Sequence, residues 1–265
     1  MALDAAYINA ILNGTGVAAK EFDPADIEVP AVLDLFCGAG GCTKGYQRSG
    51  FYCVGVDIKP QPRYCGEQFV QSDALTFVRE NLSLIQKKFV AIHASPPCQG
   101  YSTLTPLTHR SNHSTKIVEM TRELLIETGL PYVIENVEGY YTGMVNPIRL
   151  CGSMFDLRVR RHRLFECSFP LENAPECKHW WQDEDPIFII KRGGKWYRTG
   201  VVGVYGTGGN KGSDYWPWAM GCGETWDDCW MNMYELTQSI PPAYTEYIGK
   251  CLKQELQSSL SLTTN

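Results

Sequence analysis

Five apolar stretches in the first half of the chain each end at a residue suited to ligand binding or chemistry, and this repetition limits the possible folds. The stretches are rich in branched side chains, as buried strands of a parallel sheet are. They end at Phe36, Asp57, Asp73, Cys98 and Glu135. Segments with helical spacing of apolar residues separate them. The alternation predicts an α/β doubly wound sheet whose functional residues share one edge, where such sheets bind their ligands.

The pattern also places the elements along the chain. We predict strands at 31–36, 52–56, 68–71, 89–93, 132–134, 164–167 and 201–204, a hairpin at 191–197, and helices at 5–12, 42–48, 75–86, 115–128 and 243–256. Residues 257–265 are polar and predict a frayed tail. Residues 170–228 are rich in tryptophan and glycine and predict a small β-rich insert. The predicted divisions are therefore 1–30, 31–169, 170–228 and 229–265.

Composition excludes several classes of protein. With 265 residues, 44% hydrophobic and 20% charged, the chain predicts a globular protein with a sizeable core. A net charge of −5 gives no global attraction to nucleic acid, so any such binding needs a local basic patch. Eleven cysteines without paired spacing predict free thiols in a reducing cytosol. No signal peptide or membrane-spanning run is evident, so we expect a cytoplasmic protein without a membrane partner.

Cys98 has the strongest signals of a reactive thiol. Pro96 and Pro97 stop the strand before it, because proline cannot donate to a sheet ladder. The polar loop 100–114 follows, carrying His109, Arg110 and His113, and could close over a substrate. The alternative is that Cys98 is an ordinary buried thiol.

A glycine-rich turn at 37–41 joins the first strand to a helix, and such a turn lets the backbone approach a nucleotide. Asp57 ends the next strand about twenty residues later, where an acid commonly accepts hydrogen bonds from ribose hydroxyls. Asp73 occupies the same kind of position. Each aspartate could instead be a solvated strand-end residue.

Glu135 ends the fifth strand. Partial burial there would raise the pKa of its carboxyl and let it hold a proton. The alternative is a glutamate that caps the next turn.

Four arginines crowd into residues 158–163, which suits recognition of phosphate or planar acceptors. A plain solvated basic face is the alternative.

Cys177 and His179 have a spacing that could ligate zinc. The partners would be Cys167, Cys222 or Cys229. Because the chain has no Cys-x-x-Cys pair, we assign no metal ligand from the sequence.

Five short motifs, in order, resemble those of DNA cytosine-specific methyltransferases that act at ring carbon 5. They are residues 34–41, 97–99, 135–137, 161–163 and 238–242. The resemblance covers about 31–252. It implies a class I S-adenosylmethionine-dependent methyltransferase fold, Rossmann-like, with a small target-recognition insert at 170–228. The compact insert and the ending at 240–245 are similar to short phage and prophage enzymes.

The resemblance also implies roles for individual residues. Cys98 would be the nucleophile that adds to cytosine carbon 6, and Glu135 would donate a proton at N3. Arg163 would hydrogen-bond O2, with Arg161 supporting it. Arg161 or a neighbouring residue would help to keep Cys98 ionised. The implied S-adenosylmethionine contacts are Asp34, Phe36, Gly38, Gly40, Gly41, Asp57, Ile58, Asp73, Ala74, Pro97, Ser239 and Ile240. The implied DNA contacts are Gln99, Ser102, Arg110, Asn136, Arg160, Lys191, Arg192 and Lys211.

Three positions depart from the family pattern. Val159 stands where the family usually has a structural glutamine, and Thr237-Gln238 replaces the usual glycine-asparagine near the transferred group. Asp57 replaces the more usual glutamate. These changes bear on the local turn at 159 and on the choice of methyl donor.

The expected partner is double-stranded DNA, read by a monomer, with a cognate restriction endonuclease in the same host as a further candidate. Three alternatives keep the same fold: an RNA cytosine carbon-5 methyltransferase, a catalytically dead DNA-binding homologue, and an enzyme that uses a modified sulfonium donor. The set Cys98, Glu135, Arg161 and Arg163 argues against the dead homologue.

Overall fold

A seven-stranded sheet forms the centre of the molecule. The computed structural model describes residues 30–97, 113–192, 194–205 and 213–263, the side chains at 113–115, 190–192, 213 and 260–263 excepted. The strands are β1 (Ala31–Leu35), β2 (Tyr52–Asp57), β3 (Gln68–Gln71), β4 (Ala91–Ala94), β5 (Tyr132–Val137), β6 (Ile148–Leu150) and β7 (Arg163–Cys167). Their order is β3-β2-β1-β4-β5-β7-β6, and β7 alone runs antiparallel to its neighbours. The predicted doubly wound α/β sheet is confirmed.

Helices cover both faces of this sheet. They are α1 (Gly41–Arg48), α2 (Ala74–Glu80), α3 (Leu82–Lys88), α4 (His113–Thr128), α5 (His179–Glu184), α6 (Trp216–Met220), α7 (Met233–Gln238) and α8 (Pro242–Thr263). Successive residues of β1 point to opposite faces of the sheet and pack in two different cores. Leu33 packs in a core with Phe77 of α2 and Leu125 of α4, whereas Val32 packs in a core with Tyr46 of α1 and Tyr244 of α8. A buried strand with both faces covered needs apolar residues at nearly every position, and β1 has them at all positions except Asp34.

Helices α1 and α8 approach each other closely because Gly45 has no side chain. A Cβ atom at Gly45 would lie 2.1 Å from the carbonyl oxygen of Pro242. The hydroxyl of Thr245 donates to the carbonyl of Cys42 across the same contact (2.7 Å). The chain therefore returns from its C-terminal region to the glycine-rich turn that precedes α1.

The insert contains the predicted hairpin, β8 (Phe188–Arg192) paired antiparallel with β9 (Lys195–Thr199), together with the short helices α5 and α6. A third apolar core, which includes Phe188, Trp216, Met220 and Leu236, joins the insert to α7. The predicted strand at 201–204 is wrong. Its backbone bonds to the arginine-rich segment instead of a sheet partner, since Val202 N donates to the carbonyl of Arg158 (2.9 Å).

Two helix predictions also need correction. The helix expected at 75–86 is two helices, because Asn81 leaves helical geometry (φ −118°, ψ 20°) and its side chain donates to the carbonyl of Phe77. The tail predicted to be frayed is helical as far as Thr263, the last described residue, since α8 continues to that point. No glycine or proline stops it, and the Ser258 hydroxyl donates back to the carbonyl of Gln254 (2.9 Å). The helix predicted at 5–12 lies outside the described residues.

Two further observations concern cysteines and membranes. The ten cysteines within the described ranges are free thiols. None of the described helices is both long and apolar enough to cross a bilayer.

Candidate active site

The strand ends that the sequence pattern singled out meet at one edge of the sheet. β4 lies between β1 and β5, with Ala94 paired to Leu35 on one side and to Ile134 on the other. Cys98 itself lies outside the described residues, but the segment leading to it is well defined. The side-chain amide of Asn136 donates to the carbonyl of Pro96 (3.2 Å), and both residues are buried. The chain therefore leaves β4 toward Cys98 directly beside the end of β5.

Glu135 is a buried acid at this edge. It is only 8% exposed, and its Oε1 lies 3.1 Å from Nε of Arg163 on the neighbouring strand β7. Burial raises the pKa of the Glu135 carboxyl, while the charge of Arg163 and a hydrogen bond from Ser95 lower it to a smaller extent. The balance favours a carboxyl that can hold a proton.

Arg161 is bound to the backbone of two other segments. Its Nε and Nη2 donate to the carbonyls of Ser239 (2.8 Å) and Thr237 (2.6 Å), and Nη1 donates to the carbonyl of Val204. Its own backbone has a φ of 34°, a left-handed conformation that is uncommon for residues other than glycine. Arg161 therefore links the strand that carries Arg163 to the C-terminal motif and to the insert.

Arg160 pairs with the insert. Its Nη2 contacts the carboxylate of Asp183 (2.5 Å) and its Nε donates to Oε1 of Gln182 (3.3 Å). The wholly buried Gln182 also donates to the carbonyls of Leu157 (2.8 Å) and Val159 (3.3 Å). Gln182 thus supplies an amide to the turn at which Val159 departs from the family pattern. Sequence reasoning missed it because it is distant in the chain.

The glycine-rich turn lies at the end of β1. Phe36 (φ 59°), Gly38 (φ 51°) and Gly40 (φ 92°) all adopt positive φ, and the space above Gly38 is open. Asp57 braces the turn, because its Oδ2 accepts from Gly38 N (3.0 Å) and its Oδ1 accepts from Lys59 N (2.9 Å). Ile58 beside it is 65% exposed. The open space at Gly38, the carboxylate of Asp57 and the exposed side chain of Ile58 therefore lie together at this turn.

Asp34 lies beneath this turn and is wholly buried. Its Oδ2 accepts from the hydroxyl of Thr43 (2.6 Å), whereas its Oδ1 has no hydrogen-bond partner among the described residues. Burial raises the pKa of Asp34 to about 7. Asp73 is exposed and caps α2 by accepting from Thr76 N (2.9 Å), with Ala74 buried behind it.

The C-terminal motif packs directly on the turn. A Cβ atom at Gly41 would lie 2.8 Å from the carbonyl oxygen of Ile240 and 2.9 Å from Cβ of Ser239. Trp230, which sequence reasoning did not single out, donates from its indole nitrogen to the carbonyl of Ala39 (2.9 Å). Trp230 is not part of any of the five motifs, so the sequence alone offered no reason to select it.

Comparison with known proteins gives a match to one family model. Residues 31–143 match the model of the C-5 cytosine-specific DNA methylases. This match covers 113 of the 265 residues, somewhat less than half of the chain. The chain is 28% identical over 129 residues to the type II methyltransferase M1.HphI of Haemophilus parahaemolyticus, a match covering 42% of this chain and 33% of that protein. It is also 28% identical over 82 residues to M.AgeI of Thalassovita gelatinovora, covering 27% of this chain and 19% of the relative.

These matches span about a third or less of the length of the curated relatives. Among solved structures, the S. pombe Dnmt2 methyltransferase has a TM-score of 0.52 at 15% identity, covering 86% of this chain and 99% of that one. This likeness concerns the fold, which is the class I methyltransferase fold.

Several of the predicted site residues fall outside the described part. Cys98, Gln99, Ser102, Arg110 and Lys211 do so entirely, and Lys191 and Arg192 lie in β8 with side chains that are not described. Pro97 is exposed at the edge of the described segment. The roles of these residues remain predictions.

The zinc-ligand partners expected from the sequence are wrong. Cys177 and His179 do lie in a cluster of ligating side chains, but their neighbours there are Cys151 and His162. Cys167, Cys222 and Cys229 are not part of it. The sequence indicated the wrong partners because Cys151 and His162 lie at the two ends of the loop that joins β6 to β7, and no spacing pattern links them to Cys177 and His179.

Proposed function

We propose that this protein transfers a methyl group from S-adenosylmethionine to carbon 5 of a flipped-out cytosine in double-stranded DNA, through a covalent adduct with Cys98. The observation that carries the proposal is the ion pair of the buried Glu135 with the half-buried Arg163 at the end of β5, where the neighbouring Asn136 bonds to the segment that leads to Cys98. This arrangement offers a proton donor and a fixed cation at the edge of the sheet where the described chain leads on to Cys98.

The chemistry explains why these side chains are needed. Carbon 5 of cytosine is a weak nucleophile. The Cys98 thiolate adds to carbon 6, which breaks the 5,6 double bond and moves its electron pair toward carbon 5. Carbon 5 then attacks the methyl group, and the methyl–sulfur bond of the donor breaks. Loss of the carbon-5 proton expels the thiolate and restores the ring.

Glu135 and Arg163 act on the opposite side of the ring. Addition of the thiolate places electron density on N3 and O2. Because burial raises the pKa of Glu135, its carboxyl can be protonated and donate to N3 as this density develops. Arg163, held by Glu135 and by the carbonyl of His162 (2.9 Å), is oriented to hydrogen-bond O2. Arg161 keeps this strand in register with the C-terminal motif.

The residues at the other end of the edge fit S-adenosylmethionine, which supplies an electrophilic methyl group on a sulfonium. The open space at Gly38 admits a ligand against the backbone. Asp57 has free lone pairs for ribose hydroxyls beyond its two backbone bonds, and the exposed face of Ile58 can cover an adenine ring. Asp34 supports the turn from beneath, and Ser239 and Ile240 form the wall behind Gly41.

The insert offers a basic and aromatic surface for DNA. On β9, Lys195 and Arg198 are exposed beside Trp196 (68% exposed) and Tyr197 (48%). Cations that contact phosphates would compensate for the net charge of −5. Since the target base lies inside the duplex, it must be rotated out to reach Cys98.

The experiment is to incubate the protein with methyl-labelled S-adenosylmethionine and either duplex DNA or transfer RNA, then digest and identify the labelled nucleoside. The proposal predicts 5-methyldeoxycytidine from DNA. Label recovered as 5-methylcytidine from RNA alone would overturn the DNA substrate. Absence of label in both, with Cys98 intact and S-adenosylmethionine bound, would favour the dead homologue.

A further inference from the structure

A second cluster of reactive side chains lies away from the Glu135–Arg163 pair, between the sheet and the insert. It consists of Cys151, His162, Cys177 and His179, whose ligand atoms all lie within 4.8 Å of one another. Cys151 follows β6 and is wholly buried, His162 immediately precedes β7, and the other two lie at the start of α5. Three separate segments of the chain therefore meet at this point.

The distances within the cluster fit a shared metal ion. Ligand atoms about 2.0–2.3 Å from a tetrahedral zinc ion are about 3.3–3.8 Å from one another. Here Nε2 of His179 lies 3.2 Å from Sγ of Cys151 and 3.1 Å from Sγ of Cys177. Nε2 of His162 lies 3.8 Å from Sγ of Cys177. These three separations are close to the edges of such a tetrahedron, and every other pair of ligand atoms lies within 4.8 Å.

Ordinary hydrogen bonding does not account for this arrangement. Nε2 of a neutral imidazole has either one proton or one lone pair, so His179 cannot form full hydrogen bonds to both thiols. One ion at the centre would satisfy both sulfurs and both ring nitrogens at once.

The surroundings are those of a supported metal site. The buried hydroxyl of Ser153 lies 3.2 Å from Sγ of Cys151 and 3.5 Å from Sγ of Cys177, and it accepts from Lys178 N (3.0 Å). Nδ1 of His162 lies 3.4 Å from Oε2 of Glu138, which leaves Nε2 directed at the cluster. A carboxylate on the second ring nitrogen is the usual partner of a metal-ligating histidine.

We propose that Cys151, His162, Cys177 and His179 bind one zinc ion in a closed, tetrahedral, structural site. Two thiols and two imidazoles are a common structural ligand set for zinc, and four protein ligands leave no open position for a substrate. Binding occurs through the thiolates, so each cysteine releases its proton to solvent as its sulfur–zinc bond forms.

The position of His162 gives the site its importance. Its two chain neighbours are Arg161, which holds the C-terminal motif, and Arg163, which contacts Glu135. Zinc would join this arginine segment to the start of the insert at Cys177 and His179. The ion therefore fixes the target-recognition insert relative to the strand that carries the catalytic arginine.

The test measures metal content and ligand chemistry, and it needs neither DNA nor activity. The full chain is produced with added zinc under reducing conditions, desalted, and analysed by inductively coupled plasma mass spectrometry. We expect one zinc ion per chain, and a cobalt-exchanged sample with the intense visible bands of tetrahedral cobalt and sulfur-to-cobalt charge transfer. Cys177→Ser should lose the zinc, whereas Cys229→Ser, outside the cluster, should keep it.

Two further variants distinguish loss of a metal ligand from misfolding of the protein, because each keeps four ligands and changes only the number of thiolates. Cys177→His keeps four ligands with one thiolate, so its cobalt form should stay tetrahedral with about half the sulfur charge-transfer intensity. His179→Cys should instead increase that intensity. Metal well below one equivalent in the folded wild-type protein, a redox metal in place of zinc, or a Cys151–Cys177 disulfide in the reduced preparation would overturn the proposal. So would full zinc retention by Cys177→Ser.

Discussion

Oε1 of Glu135 lies 3.1 Å from Nε of Arg163, and the two residues come from the adjacent antiparallel strands β5 and β7. Glu135 is buried and Arg163 is half-buried, and the pKa of the acid is raised in spite of the neighbouring cation. A buried ion pair is a poor source of stability, because the desolvation of both groups offsets their attraction. The pair instead places an acid and a cation at the edge of the sheet, where Glu135 also hydrogen-bonds Ser95 of the segment that leads to Cys98.

Replacing Glu135 tests its role as an acid. Glu135→Gln should lower the single-turnover methylation rate by about 10²–10⁴-fold, since the amide cannot supply the proton as charge develops at N3. DNA affinity should change little, because the interaction is strongest in the transition state. The exposed Glu119→Gln variant on α4 is the control. Equal losses in affinity and rate would mean that Glu135 only supports the structure.

Asp34 should make the stability of the fold depend on pH. Its pKa is about 7 in the folded protein and about 3.9 in an unfolded chain. The folded state therefore retains the proton more strongly, and this contribution to stability is lost as the pH rises from about 4 through 7.

Denaturant unfolding at pH 5 and pH 8 measures this effect. Asp34→Asn removes the titration, so the free energy of unfolding of the wild type should fall by about 2 kcal/mol more than that of the variant between these pH values. The exposed Asp156→Asn variant should keep the wild-type slope. Parallel slopes for the wild type and Asp34→Asn would show that the buried carboxyl does not retain its proton.

A methyl group at position 41 should separate the C-terminal motif from the glycine-rich turn. Its Cβ atom would lie 2.8 Å from the Ile240 carbonyl oxygen, so Gly41→Ala should destabilise the fold by about 1–3 kcal/mol. It should also weaken S-adenosylmethionine binding, measured by calorimetry, by tenfold or about 1.4 kcal/mol. Gly129→Ala, strained at φ 67° but remote from the turn, should lower stability without affecting binding. Unchanged affinity in Gly41→Ala would remove Ser239 and Ile240 from the binding site.

The basic hairpin should contribute to DNA binding through phosphates. Lys195→Ala should weaken affinity for all duplex sequences alike and reduce the slope of log affinity against log salt by roughly one unit. Lys250→Ala, on the exposed surface of α8, is the matched control. If the two variants keep the same salt slope, the DNA surface lies elsewhere.

Much of the edge of the sheet could be predicted from the sequence because each functional residue comes directly after an apolar run, at or near the end of a strand. The positions of Asp57 and Glu135 depend on this local rule alone. By contrast, the grouping of Cys151 and His162 with Cys177 and His179 depends on how three segments fold together, and no spacing rule encodes it. The same holds for Gln182, whose amide reaches carbonyls more than twenty residues away. Prediction of the strand at 201–204 failed because β-branched residues there pack against the third core without a sheet partner.

The most direct test of the central claim uses duplex DNA in which the target cytosine carries fluorine at carbon 5. Because fluorine cannot leave as a cation, methyl transfer should leave Cys98 bonded to carbon 6. With S-adenosylmethionine present, we expect a denaturation-resistant complex, and mass spectrometry should locate the base on the peptide that contains Cys98. Cys98→Ser should trap nothing, and Arg163→Ala should slow trapping because O2 loses a hydrogen bond as charge builds. An adduct on Cys37 or on a cysteine of the insert, or equal trapping by Cys98→Ser, would contradict the account.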